Sequence, residues 1–230
     1  MAYAYNGTNL FDGAAVEGFS TVAALYMEQV QIVTCNPEIK TVADLAGKNV
    51  SIGAPGSGVY FNAIDILGAY GLGEADINPT YEDFGNSAES LQDGKIDAAF
   101  VVAGAPTTAV TTLSTSKDVY LVSLDDEHIE KLVASSPYYT KNVIAAATYG
   151  MAEDATTVAV GAVVIARDDV SEDDVYNFVS TVFENQETIT TAHAKGAELN
   201  LEFAASVTAV PYHKGAAKYF AEKGLEVATK

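Results

Sequence analysis

VSIGAPGSGVYFNAIDIL, residues 50–67, decides how the rest of the chain is read. Val50, Ser51 and Ile52 begin it as a short apolar strand. Residues 53–58, Gly-Ala-Pro-Gly-Ser-Gly, break the strand into a glycine-rich turn. Beyond the turn, Phe61, Ile64 and Leu67, with Ala63 and Ile66 beside them, follow the spacing of one helix face. A strand, a glycine turn and a helix in that order suit an anion, because the first N–H groups of a helix lack intrahelical partners. The helix dipole adds about half a positive charge at the same end. The turn has neither the G-x-G-x-x-G spacing of a dinucleotide site nor the Gly-Lys-Ser/Thr of a P-loop. An ordinary βα turn with Ser57 as helix N-cap and an anion-binding turn both fit the pattern.

Composition narrows the function classes. The chain has 230 residues, room for one large domain or two small ones, and 49% of them are hydrophobic, enough for a sizeable core. Twelve basic against 31 acidic residues give a net charge of −19. No Lys/Arg cluster exists to meet a phosphate backbone or an anionic lipid surface, so nucleic-acid and membrane-surface partners are excluded. Arg167 is the sole arginine, so a bound carboxylate cannot rest on several guanidinium forks. Backbone amides, hydroxyls and an occasional lysine must carry it. One cysteine, Cys35, allows no intrachain disulfide and no cysteine-rich metal site. The apolar runs near 98–105 and 158–166 are too short to span a bilayer. Met1 is followed by AYAYNG, which is no signal peptide. The chain therefore reads as soluble, either cytosolic or already without a targeting segment.

Residues 1–18 are polar and dotted with glycine and read as a loop. Residues 19–26 and 30–34 read as two strands. Thr41 to Asp44 has the form of a capping box opening a short helix that Gly47 closes. After the central strand–turn–helix come a weak strand at 80–84, a helix at 87–92 and an apolar run at 96–102 that fits a buried parallel strand. That run enters Ala103-Gly104-Ala105-Pro106, a second small-residue turn, before a helix at 107–113. Strands at 119–124, 143–148 and 158–166 and a helix at 126–134 follow. Ser171 is a good N-cap with acids in the first turn, for a helix to about 185, and helices at 187–195 and 216–223 complete the chain. Alternating strands and helices predict an α/β fold with a mostly parallel sheet. Ligands of such sheets sit outside the carboxyl ends of the strands, where both small-residue turns lie.

A search for catalytic chemistry returns little. Gly56-Ser57-Gly58 lacks nucleophile-elbow spacing. His128, His193 and His213 fall in polar segments and read as surface histidines. No H-E-x-x-H and no EF-hand spacing occurs, so neither a metal nor another cofactor is expected. Tyr138-Tyr139 could line a pocket or simply pack.

With these residues in place, the chain resembles the TAXI family of TRAP-transporter solute-binding proteins. The landmarks are LYMEQVQIV (25–33), KTVADLAGKNVSIGAPGSG (40–58), LQDGKIDAAFVVAGAP (91–106), SPYYTK (136–141) and HKGAAKYFAEKG (213–224). The resemblance implies a type II periplasmic-binding-protein fold, two α/β lobes joined by crossing strands and closing on a ligand like a hinge. It implies residues 1–35 and 158–230 as a partial first lobe and 36–157 as the second. It implies a periplasmic or extracytoplasmic receptor without catalysis, which hands a small carboxylate, glutamate or dicarboxylate-like, to TRAP membrane permease subunits. The ligand site implied is Gly56, Ser57, Gly58 and Val59 with Asn62, facing Gly104 and Thr107, and Tyr26 on the hinge side. Val59 stands where the family usually has Thr. The family's leader and first strand–turn are not seen, so the chain reads as lacking its N-terminal portion, with an incomplete first lobe. Self-association through an unpaired strand edge is an expected consequence. The alternatives are an α/β enzyme acting on a small anionic substrate and a truncated fragment that no longer binds.

Overall fold

The computed structural model describes residues 1–230. Its architecture turns on β1 (Phe19–Thr34), sixteen residues long, where two separate strands were expected. The polar residues Glu28 and Gln29 in its middle mark a stretch of partial exposure, not a break: Gln29 still pairs with Ala103. A second long strand, β7 (Ala155–Arg167), is built in the same way. The chain divides into two compact units, Met1–Tyr26 with Gly161–Lys230, and Met27–Val160. Both long strands pass from one unit into the other. The unit boundaries therefore fall inside strands, at 26/27 and 160/161, nine residues before and three after the 35/36 and 157/158 of the sequence reading.

The unit Met27–Val160 contains, in chain order, β2 (Asn49–Ser51), α2 (Gly58–Ala69), β3 (Asn78–Thr80), α3 (Phe84–Gln92), β4 (Ala98–Ala103), α4 (Thr108–Ser114), β5 (Tyr120–Leu121), α5 (Asp126–Ser135) and β6 (Thr140–Ile144). The strand order is β3-β2-β4-β1-β7-β6, with β5 beside β1. β2 runs parallel to β3 and β4, but β1 is antiparallel to β4 and β6 to β7. The sheet is thus mixed, not mostly parallel, because the two long strands bring antiparallel pairings that βα alternation does not foretell.

Helices cover both faces of this sheet. On one face Val30, Ile32, Ile52, Phe100 and Val102 pack with Ala63, Ile66 and Leu67 of α2 and Ile129 and Leu132 of α5. On the other, Val33, Ala99 and Val101 pack with Leu91 of α3 and Val110 and Leu113 of α4. Burying each large aliphatic side chain contributes about 1.5–3 kcal/mol before chain entropy is counted. Helix starts follow local chemistry. Ser57, Asp83 and Asp125 accept N–H groups of the first turns of α2, α3 and α5. Thr41 and Asp44 close the expected capping box on a 3-10 turn, Val42–Leu45.

The other unit contains α1 (Ala2–Asn6), the first half of β1, the second half of β7, α6 (Glu172–Glu184), α7 (Gln186–Ala192), α8 (Leu201–Ala204) and α9 (Lys214–Glu222). Tyr212 bridges in parallel to Thr21 and to Thr229. Val22, Ala23, Val175, Val179, Tyr219 and Phe220 form its core. Residues 1–18, expected to be a loop, include α1 and a 3-10 turn, Asn9–Phe11. A five-residue helix carries no periodic signal. It is held by Gly7 in the left-handed region, by burial of Ala2 and by Tyr5 packed edge-on to Phe19. The Lys230 ammonium donates to the carbonyls of Glu17 and Phe19 and to Asp168. No helix is long and apolar enough to cross a membrane.

Candidate functional site

β2 and β4 are neighbours and parallel, with Ser51 opposite Ala99, so the turns that follow them leave the same edge of the sheet. In the first turn Gly53 has φ +76°, and a Cβ there would sit 2.8 Å from Cβ of Val59. Only glycine lets the strand end pass this close under the helix start. Gly56, φ +78°, reverses the chain with open space around it. The N–H of Ser57 donates to the Ala54 carbonyl at 3.0 Å, so it serves the turn and not a ligand. Ser57 Oγ accepts the N–H of Tyr60 at 3.2 Å, and its carbonyl accepts that of Phe61. Gly58 and Val59 are the first residues of α2, and their N–H groups point out of the helix end.

The second turn is locked from beneath. Gln31 is buried, and its Nε2 donates to Thr107 Oγ1 at 2.9 Å and to the Ala103 carbonyl at 3.3 Å. The Tyr149 hydroxyl donates to Gln31 Oε1 and accepts the N–H of Thr107 at 2.7 Å. Burial pushes the Tyr149 phenol above its usual range. Thr107 Oγ1 donates to the Gly104 carbonyl at 3.1 Å, and Gln29 Oε1 accepts the N–H of Ala105 at 3.0 Å, beside a cis Ala105–Pro106 bond. Every polar group of Thr107 seen in this network is engaged with the protein itself.

The structure therefore sorts the sequence-derived site residues. Gly56, Ser57, Gly58 and Val59 form one turn, and Gly104 and Thr107 lie in the turn after the adjacent strand. Val59 packs on the core of the unit. Asn62 Nδ2 donates to the Tyr139 hydroxyl at 2.7 Å, which itself donates to Asp65. Tyr139, 3% exposed, packs. Tyr26 belongs to the other unit, where the Lys195 ammonium lies 5.9 Å from its ring centroid. Sequence reasoning missed Gln29, Gln31 and Tyr149. The available signal was two glutamines at alternate positions of an apolar strand, since a buried amide must find partners. It also missed Glu28, a half-buried carboxylate whose pKa burial pushes up.

Several charged groups elsewhere are committed locally. Arg167, the sole guanidinium, pairs with Asp169 in an exposed fork. His128 pairs with Asp125, and His193 accepts the N–H of Lys195. His213 is not the surface histidine expected. It is buried as the N-cap of α9, accepting the N–H of Gly215 on Nδ1 while Nε2 lies 3.1 Å from the Val170 carbonyl.

The NMT1-like family model matches residues 1–224. Among solved structures, a protein from Bordetella bronchiseptica RB50 is similar with a TM-score of 0.53 at 13% identity, over 99% of this chain and 64% of that one. The periplasmic aliphatic sulphonate binding protein SsuA from Escherichia coli gives a TM-score of 0.45 at 16% identity, over 90% and 66%. An ancestral arginine-binding protein bound to arginine gives 0.47 at 16%, over 79% and 64%. The chain thus spans 64–66% of the length of these three. Of them, the first exceeds a TM-score of 0.5, and at its identity it speaks for the fold. That fold is α/β, like that of type II periplasmic-binding proteins, in two units with two long strands that run from one into the other. The expected TAXI-family, TRAP-transporter assignment is corrected, together with its TRAP permease partner and its glutamate or dicarboxylate function. The family model that matches is the NMT1-like one, over residues 1–224.

Proposed function

Because the chain belongs to the NMT1-like family, we propose that it is a solute-binding protein that captures a small polar organic anion and passes it to an ABC-type permease. In this reading it works outside the cytoplasm and catalyses nothing. The observation that carries it is the start of α2: two N–H groups, of Gly58 and Val59, directed out of a glycine turn in which the N–H, hydroxyl and carbonyl of Ser57 are already paired. A helix start of this kind favours negative charge without any arginine. The neighbouring turn is held by four side chains of the same unit, Gln29, Gln31, Thr107 and Tyr149. Binding sites benefit from such preorganisation because less ordering remains to be done when the ligand arrives. The sulfonate- and amino-acid-binding descriptions of matched structures suggest the solute classes to try first.

The test is a thermal-shift screen followed by calorimetry with alkanesulfonates, taurine and L-amino acids. A solute at 100 times its Kd stabilises the folded chain by about 2.7 kcal/mol, a shift of several degrees. Saturable one-to-one binding of one solute class without turnover is the expected result. A chain that binds no organic anion, or that converts one, would overturn the reading.

A further inference from the structure

Asn6 is the one asparagine of the chain that glycine follows. It is the last residue of α1, it is exposed, and no hydrogen bond engages its side-chain amide. Gly7 stands at φ +62° and closes the helix as a Schellman motif. Its N–H donates to the Ala4 carbonyl at 3.3 Å, and that of Thr8 to the Tyr3 carbonyl at 3.0 Å. The bond from Gly7 is the longer of the two and lies beyond the usual N–H···O range. No side chain on Gly7 screens its nitrogen from the Asn6 carboxamide. α1 has five residues, and isolated helices shorter than about 12–15 are marginal in water, so it stands by its packing and frays from its ends.

We propose that Asn6 and Gly7 form a self-modifying site, whose reaction detaches α1 from the start of β1. When α1 frays, Asn6 leaves its helical dihedrals and the Gly7 nitrogen attacks Asn6 Cγ. A bond forms between these two atoms, the Cγ–Nδ2 bond breaks, and the amide leaves as ammonia, taking the proton that the Gly7 N–H gives up. Solvent water then opens the five-membered imide at either carbonyl, to aspartate or to isoaspartate. Nothing is oxidised or reduced. Isoaspartate lengthens the backbone by one carbon just before Gly7, where space is already short: a Cβ on Gly7 would lie 3.0 Å from Ala15. Either product also places a carboxylate at the C-terminal end of the helix, which the dipole disfavours. The contacts at risk are those that seat α1. Ala4 O accepts the N–H of Val16 at 2.8 Å, and Tyr5 packs edge-on to Phe19 with the Lys230 ammonium 5.5 Å from its ring centroid.

The test incubates the full chain, its Asn6→Gln variant and a synthetic peptide of residues 1–12 at pH 8 and 37 °C, with peptide mass analysis over time. The expected result is a gain of one mass unit at Asn6, at least tenfold faster than at any other asparagine of the folded chain. Ammonia is released in step, and a protein isoaspartyl methyltransferase labels the product. Asn6→Gln shows none of this, because a glutamine would have to close a six-membered ring. Tyr5→Ala, which loosens α1 from Phe19, should bring the rate in the folded chain closer to that of the peptide. An Asn6 still intact after ten half-lives of the peptide overturns the proposal, and so does faster reaction at another asparagine. A rate unmoved by Tyr5→Ala overturns the part given to fraying. Amide hydrogen exchange of the reacted chain reads the consequence. It should speed up in residues 2–8 and at Phe19–Thr21, and exchange unchanged there with isoaspartate in place overturns the detachment.

Discussion

The hydroxyl of Tyr149 donates to the side-chain amide of Gln31, 118 positions earlier in the chain, and accepts from Thr107. One phenol therefore joins a central strand to the turn after its neighbour. Tyr149→Phe removes both bonds and leaves Gln31 Oε1 and the Thr107 N–H unpaired. We expect a loss of about 2–4 kcal/mol, at 1–3 per unsatisfied buried group. Urea unfolding measures it. Gln31→Leu combined with Tyr149→Phe should cost clearly less than the two changes added, because the second change then strands fewer groups.

Gly58→Pro isolates the binding role of one N–H. Proline is favoured at the first helical position, and Ser57 already has the extended backbone, φ −73° and ψ 162°, that a following proline requires. A Cβ at Gly58 meets nothing within 4 Å. The melting temperature should stay within a degree or two of wild type. Affinity for the cognate anion should fall at least about tenfold, since one hydrogen bond to a charged group contributes about 1.5–3 kcal/mol. Unchanged affinity would remove the Gly58 N–H from the site.

The two left-handed glycines of the same turn should behave differently. Gly56→Ala meets open space and should cost about 1 kcal/mol for its backbone alone. Gly53→Ala adds a carbon 2.8 Å from Val59 Cβ and should cost about 2–4 kcal/mol, displacing the start of α2 as well. Stability and affinity measured together would show Gly53→Ala losing both.

What could be read from residues alone was local. Ser57, Asp44 and Ser171 announce helix starts because a side chain three positions from an N–H satisfies it without help from the fold. The glycine turn and its helix were legible for that reason, and so was the α/β class. The unbroken course of β1 was not, because its polar middle is held by pairing with β4, which only the assembled sheet supplies. The protein partners of Thr107 and Asn62 were not legible either. Both sit near the right edge, yet their polar groups answer Gln31, Tyr149 and Tyr139, residues distant in sequence. His213 looked exposed beside Lys214, but its ring lies under α9 and the Val170 carbonyl.

Acid should act through α5. Asp125 caps the helix and binds the His128 ring, which itself stacks on Tyr70 at 3.7 Å. The hydrogen bond from His128 holds the Asp125 carboxyl at about 2, below its ordinary 3.8. A folded-state pKa depressed in this way adds stability that is present above the unfolded value and is lost as pH falls through the folded one. Asp125→Asn should therefore flatten the stability profile between about pH 4 and pH 2. The side chain is 55% exposed, so added salt should shrink the effect.

In the other unit, Gly215 allows α9 to lie against α6. A Cβ there would fall 2.2 Å from the Glu172 carbonyl oxygen and 2.9 Å from the Tyr176 nitrogen. Neither is a flexible side-chain end, so Gly215→Ala should cost at least about 3 kcal/mol. Amide hydrogen exchange should speed up in α6 and α9 first. An exchange pattern unchanged in both helices would contradict this packing.

The paths of β1 and β7 also set an order of events during synthesis. Residues 27–160 form a continuous stretch, so all strands and helices of that unit have left the ribosome once Val160 has emerged. Phe19–Tyr26 has no such option. Its partners are the far half of β7, Tyr212 and Lys230, made more than a hundred residues later. The earlier-made strand must wait, with Val22 and Ala23 uncovered, while the later-made unit closes. Domains generally fold as units, earliest first, during translation, and here the unit containing residue 19 is the second to finish. A nascent chain stalled just beyond Val160 should already protect β4 from proteolysis while leaving Phe19–Tyr26 open to cleavage.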